Sequence, residues 1–336
     1  MSGIWHTLPR PIHALAPMED VTDTVFRRLV QRWGRPDIVF TEFIHAEIVL
    51  RDRKDRPGLT PRLQFTTSER PIIAQIWGND PEEYSRAAVR LAELGFDGID
   101  INMGCPVRKI RKRGACSALI EQPGLAAELI AAAKSGGLPV SVKTRIGFRR
   151  VQTEEWVGHL LEQEIDALTV HGRIATQESE GDSNWDEIAR AALIARVGGY
   201  KTAVLGNGDV TTREQMDAYA ERYKLDGVMV GRGIFYDPHL FRGSEGKRFA
   251  DLDPAEKVTL LEEHLELYQA HWAMTRNYEI LKKYYKIYLS GFPGCDELRD
   301  KLNQTHTYEE AREVLRAWRV SHRDEGAHDE VRFSAS

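Results

Sequence analysis

Eight short apolar stretches at nearly even intervals constrain this chain more than any other feature. They begin near Ile12 (IHALAPM), Asp37 (DIVFTEFI), Pro71 (PIIAQIWG), Phe96 (FDGIDINMG), Pro139 (PVSVKTRIG), Ala167 (ALTVHGR), Thr202 (TAVLGNGDV) and Gly227 (GVMVGRG). Most are continuously apolar rather than alternating, as in a parallel strand covered on both faces. The first start to the last spans 215 residues in seven steps, and about 31 residues per step is the length of a strand–helix–strand unit. Helical periodicity fills the gaps at 82–94, 124–134 and 153–163, with Asp23 and Asp80 at capping positions. Eight units over roughly 240 residues predict an α/β fold, a closed (β/α)8 TIM barrel. A doubly wound open sheet is the alternative, but it more often stops at five to seven strands.

After Phe241 the pattern changes. Gly243-Ser244-Glu245-Gly246-Lys247 is rich in helix breakers, and only helix-like segments follow, at 254–272, 278–290, 296–303 and 308–321. Asp253 before Pro254, with Glu256 three residues on, marks a helix start. The division predicted is a barrel over 1–243, a helical domain over 244–322 and a frayed polar tail over 323–336.

With 42% hydrophobic residues the chain can bury a real core. No apolar run approaches the roughly 18 residues of a membrane span, and Met1-Ser2-Gly3-Ile4-Trp5-His6 lacks the build of a secretory leader. Three cysteines (Cys105, Cys116, Cys295) are too few for a disulfide framework. The expectation is a cytoplasmic monomer with free thiols. Its 46 basic and 51 acidic residues, net −5, exclude a uniformly basic nucleic-acid coat protein; a nucleic-acid partner must meet a local patch.

Barrels of this kind place their chemistry where strands end. The residues there are Ala16-Pro17-Met18, Glu42, Gln75, Asn102-Met103-Gly104-Cys105-Pro106, Lys143 with Arg145, His171 with Arg173, Asn207-Gly208-Asp209 and Gly231-Arg232. Polar groups closing apolar strands are costly unless they meet a ligand or one another. The glycine-bearing ends of the last two strands suit a phosphate, although two ordinary tight turns read equally well. Lys143 suits the electron-rich edge of a reduced flavin, or a salt bridge to Glu42 or Asp100. Cys105, with an ordinary thiol pKa near 8.5, is a candidate proton donor that Arg108 and Lys109 would depress somewhat; the plainer reading is an inert buried cysteine. Cys116, among small neighbours, reads as packing. His171 has no companions at metal-ligand spacing, so no metal is expected. His264 and His271 read as solvated.

Arg108-Lys109-Ile110-Arg111-Lys112-Arg113 packs five cations into six residues after Cys105. Arg51, Arg53, Lys54 and Arg56 follow the second strand, Arg145, Arg149 and Arg150 the fifth, and Arg173 the sixth. Lys282, Lys283 and Lys286 form a further stripe interleaved with Tyr284, Tyr285 and Tyr288. Four clusters on one rim of a net-acidic protein point to a polyanionic substrate, with Lys109, Arg145 and Arg173 as contacts.

Together these blocks resemble the flavin-dependent tRNA-dihydrouridine synthases. The resemblance is carried by Ala16-Pro17-Met18-Glu19-Asp20-Val21-Thr22-Asp23 with Phe26-Arg27, Asp100-Ile101-Asn102-Met103-Gly104-Cys105-Pro106, Val142-Lys143-Thr144-Arg145-Ile146-Gly147, His171-Gly172-Arg173, Asn207-Gly208-Asp209 and Val230-Gly231-Arg232-Gly233. It implies FMN lined by Ala16, Pro17 and Met18. Gln75 and Lys143 would meet its polar edge, His171 would lie beside it, and Asn207, Gly208, Asp209, Gly231 and Arg232 would cradle its phosphate. It further implies NADPH, or NADH, as electron donor and tRNA as partner, with the uracil placed by Asn102 and protonated at C5 by Cys105 after hydride reaches C6. One block departs from the family pattern. The run Ile174-Ala175-Thr176-Gln177-Glu178-Ser179 lacks the usual basic and aromatic side chains, and Ser183 replaces a common alanine. Competing readings are a barrel flavoenzyme acting on a small molecule and an RNA-binding protein without catalysis.

Overall fold

The computed structural model describes residues 3–51, 61–243 and 246–332, with side chains to 322. Nine strands form one all-parallel sheet: β1 (Ile12–Leu15), β2 (Ile38–Phe40), β3 (Ile44–His45), β4 (Ile72–Trp77), β5 (Gly98–Met103), β6 (Val140–Arg145), β7 (Ala167–His171), β8 (Ala203–Asn207) and β9 (Gly227–Val230). Pairing of β1 with both β2 and β9, and of β2 with β4, closes the sheet into an eight-stranded barrel. The second apolar stretch, read as one strand, is split into β2 and β3. At the break the Thr41 hydroxyl accepts the Gln75 amide at 3.0 Å, and Glu42 accepts the Asp20 amide at 2.7 Å. The Thr41 hydroxyl thus takes an amide that an unbroken ladder would give to a carbonyl.

The predicted caps are present. Asp23 accepts the Phe26 amide at 2.9 Å and starts Thr24–Trp33; Asp80 accepts the Glu82 amide at 2.8 Å ahead of Pro81–Glu93. Trp5, wholly buried, packs with Ile12, Ile38, Ile73, Ala167 and Ala203, residues at or near the start of their strands. A fourfold device sets the register at that same end. Asp37, Asp97, Asp166 and Asp226 each precede a strand and accept the amide of His13, Ile72, Val140 or Val204 on the strand before it, every time at 2.8 Å. A carboxylate–amide bond of this kind contributes on the order of 1.5–3 kcal/mol.

The chain forms two compact units, one of Met1–Ile234 with Leu240–Ser244, the other of Phe235–His239 with Glu245–Ser336. In the second, a capping box of Asp253 and Glu256 opens the helix Pro254–Trp272, which buries Val258, Leu261, Leu265, Tyr268 and Trp272. Tyr308–Arg332 runs helical through much of the segment assigned to a frayed tail. Tyr284, Tyr285 and Tyr288, expected to interleave a basic surface, are core residues. His264, expected in solvent, is fully buried with Nδ1 2.8 Å from the Tyr288 hydroxyl, and burial pulls it down to about 3. No helix among the described residues is long and apolar enough to cross a membrane.

Candidate active site

Parallel pairing sets the polar strand-end residues side by side. Gln75 is in register with Asp100, Asn102 with Lys143, and Arg145 with His171, which is in turn level with Asn207. A continuous hydrogen-bonded chain crosses the first of these. Ser141 Oγ donates to Asp100 Oδ1 at 2.6 Å and Gln75 Nε2 to Asp100 Oδ2 at 2.7 Å. Asn102 Nδ2 donates to Gln75 Oε1 at 3.0 Å, and Asn102 Oδ1 accepts the amides of Gly104 at 3.1 Å and Cys105 at 2.9 Å. Asn102 thereby shapes the loop that carries Cys105. Asp100 and Ser141 join the site without being among its expected residues, although an aspartate inside an apolar strand, two residues before Asn102 and so on the same face, is a usable signal.

Cys105 is half-buried. Hydrogen bonding from the Cys116 thiol is the leading influence that lowers its pKa, to about 7, with the Val107 amide and the charges of Arg145 and Lys143 adding to it against burial. The expected depression is real, but it comes from these groups rather than from Arg108 and Lys109. Cys116, read as packing, is buried and also touches the candidate proton donor. A thiol poised near neutrality can release a proton and hold the resulting charge.

Lys143 is half-buried, and among the described residues no carboxylate or carbonyl engages its Nζ. The salt bridge to Glu42 or Asp100 does not form. Burial and the Arg145 charge bring its pKa down to about 8, so the ammonium is charged at neutral pH. Beside it, His171 Nδ1 is buried without a partner, while Nε2 lies 3.4 Å from Arg173. Burial and four surrounding cations hold its pKa well below the ordinary range, so the ring is neutral. An unpaired ammonium and an orphaned imidazole nitrogen on adjacent strands fit a bound ring with electron-rich edge atoms.

The ends of β8, β9 and β1 meet next to these groups. Ala16 donates its amide to the Val230 carbonyl at 2.8 Å, and a Cβ on Gly231 would stand 3.6 Å from both Ala16 and Met18. Asn207 Nδ2 donates to the Met229 carbonyl at 2.8 Å. Gly208 has φ +137°, and a Cβ there would come within 2.2 Å of Ser183 Oγ. The two glycines leave the backbone bare at these strand ends, which suits close approach of an anionic tail. Asp209 is turned to its own neighbours. Its carboxylate accepts from Arg173 and from the Ser183 hydroxyl at 2.9 Å, and Arg232 lies 3.7 Å away. Burial would raise its pKa, but the Arg173 and Ser183 hydrogen bonds outweigh it and hold the carboxyl low.

Arg145 and Arg173, expected at a substrate, are buried. Arg145 donates to the carbonyls of Gly104 at 2.7 Å, Ile174 at 3.2 Å and Glu178 at 2.8 Å; Arg173 bonds Ser183, Asp209 and the carbonyls of Glu180 and Gly181. These two guanidiniums pin the divergent 174–183 segment to the barrel rim. Free cations lie elsewhere on the first unit. Arg108, Lys109, Lys112 and Arg113 are exposed on and after the turn Arg108–Arg111, without an acidic partner among the described residues. Arg111 instead packs over Phe148, 5.6 Å from its ring centre. Arg51 pairs with Glu47, Arg149 and Arg150 face Glu121 and Glu155 at 3.9 and 3.8 Å, and Arg53, Lys54 and Arg56 lie outside the described residues.

Residues 14–322 match the family model of dihydrouridine synthase (Dus). The chain is 44% identical over 316 residues to a probable tRNA-dihydrouridine synthase 2 of Bacillus subtilis strain 168, covering 93% of this chain and 95% of that one. It is 41% identical over 315 residues to a probable tRNA-dihydrouridine synthase of Staphylococcus epidermidis, with 93% and 95% covered. Among solved structures, morphinone reductase superposes with a TM-score of 0.50 at 13% identity, covering 74% of this chain and 89% of that chain. A 2-naphthoyl-CoA reductase superposes at 0.52 and 11%, covering 70% of this chain and half of that one. At such identities the two structures speak for the barrel fold alone.

Proposed function

This chain belongs to the dihydrouridine synthase family, and we propose that it reduces particular uridines of tRNA to 5,6-dihydrouridine, using bound FMN and NADPH, or NADH, as electron donor. The observation that carries this reading is the grouping, on consecutive strand ends, of a thiol tuned to neutral pH with an unpaired ammonium and an orphaned imidazole nitrogen.

The flavin, when bound, supplies the hydride that reaches uracil C6. Ala16, Pro17 and Met18 would line it, Gln75, Lys143 and His171 would meet its ring edges, and Asn207, Gly208, Asp209, Gly231 and Arg232 would surround its phosphate end. Lys143 would counter negative charge on the electron-rich edge of such a ring. Cys105 gives its Sγ proton to C5 as C6 takes the hydride, so the C5–C6 double bond becomes single and a thiolate remains. Cys116, the Val107 amide, Arg145 and Lys143 stabilise that thiolate. The second N–H of the Asn102 amide, beyond the one given to Gln75, is available to a uracil carbonyl. A uridine must leave its stack to reach a barrel mouth. The exposed cations at Arg108, Lys109, Lys112 and Arg113 would meet the tRNA backbone, and the helical unit, with Lys283 and Lys286 exposed, would grip it through shape and phosphates. We further propose that the chain acts in the cytoplasm as a monomer.

The test is to incubate the FMN-loaded protein with NADPH and an unmodified tRNA transcript, then look by mass spectrometry for a uridine that has gained two hydrogens. Cys105→Ala should lower the yield by about 10²-fold or more with the yellow cofactor retained. No dihydrouridine from fully loaded protein would refute the proposal, and turnover of a small enone instead would favour the small-molecule reading.

A further inference from the structure

Asp100 stands in β5, 1% exposed, and has no part of its own in the reaction as assigned above. Both its oxygens are taken, by Ser141 at 2.6 Å and Gln75 at 2.7 Å. An ionised carboxylate only accepts, so Gln75 must turn its NH2 toward Asp100 and its carbonyl toward Asn102. Asn102 must then turn its NH2 toward Gln75 and its carbonyl toward the loop, where that oxygen takes the Gly104 and Cys105 amides. Each primary amide in this chain has two ends of nearly equal shape. The acceptor-only carboxylate at one end and the donor-only Gly104 and Cys105 amides at the other both demand this direction, since a reversed chain would set an NH2 against two N–H groups. A buried charge is a costly way to fill a strand interior if packing alone is served.

We infer that Asp100 is a positioning residue: its carboxylate anchors the far end of the Gln75–Asn102 amide relay, whose direction the Gly104 and Cys105 amides share in setting, and so holds the Cys105 loop and aims the spare N–H of each amide at ligand acceptors. The inference rests on the proton-donor reading of Cys105. The groups facing Asp100 are Ser141, Gln75, Lys143 and the buried Tyr84. Burial pushes its pKa up to about 6, while the two hydrogen bonds and the Lys143 charge keep it from rising further. Below that pH the carboxyl gains a proton and loses the charge that strengthens its hydrogen bond from Gln75.

Hydrogen exchange of the FMN-loaded protein, read by mass spectrometry on peptides covering 102–107, tests this. Asp100→Asn, which leaves Gln75 a neutral acceptor in place of a charged one, should exchange there roughly fivefold faster, the factor by which a charge-assisted hydrogen bond outweighs an ordinary one. Gln75→Met should do the same, and the double variant no more than either, because both cut one relay. Peptides covering 203–207 should not change. In the unaltered protein the same segment, corrected for intrinsic exchange, should loosen between about pH 7 and about pH 5, across the Asp100 titration. Unchanged exchange in Asp100→Asn, or additive effects in the double variant, would overturn the relay. Should Asp100→Asn fail to fold, a flat corrected rate across that pH range would overturn it as well. The readout does not require turnover, so a loosened loop in a protein that makes no dihydrouridine would sink the function and leave the relay standing.

Discussion

Removing the Cys116 sulfur tests how the proton donor is tuned. Cys116 opens the turn Cys116–Glu121, is fully buried, and has φ +54°, a left-handed backbone that costs an L-residue other than glycine roughly 1–2 kcal/mol. Its thiol is the largest of the influences that bring Cys105 down to about 7. In Cys116→Ala that influence is gone and the opposing burial remains, so the Cys105 midpoint should rise by about one unit. At pH 7 the thiolate fraction would fall from about one half to about one tenth, a roughly fivefold drop in reactivity. The assay is the pH dependence of iodoacetamide alkylation in a Cys295→Ser background, where Cys105 is the accessible thiol. Cys116→Ser keeps a donor and should stay near the parent midpoint. The sign for turnover follows from the acid role: the thiol is the active form, so dihydrouridine formation falls as pH rises through about 7 in the parent and about one unit higher in Cys116→Ala. An unchanged alkylation midpoint in Cys116→Ala would refute this account of the tuning.

Two further outcomes are expected. Neutralising Arg108, Lys109 and Lys112 together should weaken tRNA binding and flatten the slope of log affinity against log salt by about 2 to 3; an unaltered slope would place the RNA elsewhere. Gly208→Ala, whose new Cβ would press on Ser183 and through it on the Arg173–Asp209 pair, should lower FMN affinity by about tenfold or more, a change of roughly 1.4 kcal/mol. Fluorescence quenching of FMN on binding measures it, and an unchanged dissociation constant would remove the phosphate loop from that position.

Strand positions were legible because burial on both faces demands a continuous apolar run, and every observed strand but β3 begins within two residues of an expected start. Caps at Asp23, Asp80 and Asp253 were legible for a similar reason: a short acceptor side chain can serve its own helix without help from elsewhere. The strand-end residues from Gln75 to Asn207 were found together because parallel closure places all strand ends on one rim. What each does there was not legible. Arg145 and Arg173 read as substrate contacts, yet burial turns them onto loop carbonyls, while Lys143 reads equally as a salt-bridge member and stands unpaired. Tyr284, Tyr285 and Tyr288 alternate with lysines in a way that suits a surface, but their helical unit closes over them.

By itself the sequence determined which segments become strands and helices, where they cap, and which side chains gather at the barrel mouth, since those follow from local periodicity and chain direction. Only the tertiary structure decided which polar groups satisfy one another and which are left for a ligand, because hydrogen bonds and desolvation depend on neighbours 20 to 40 residues apart, such as Gln75 with Asp100 and Asn102, or Asp209 with Arg173.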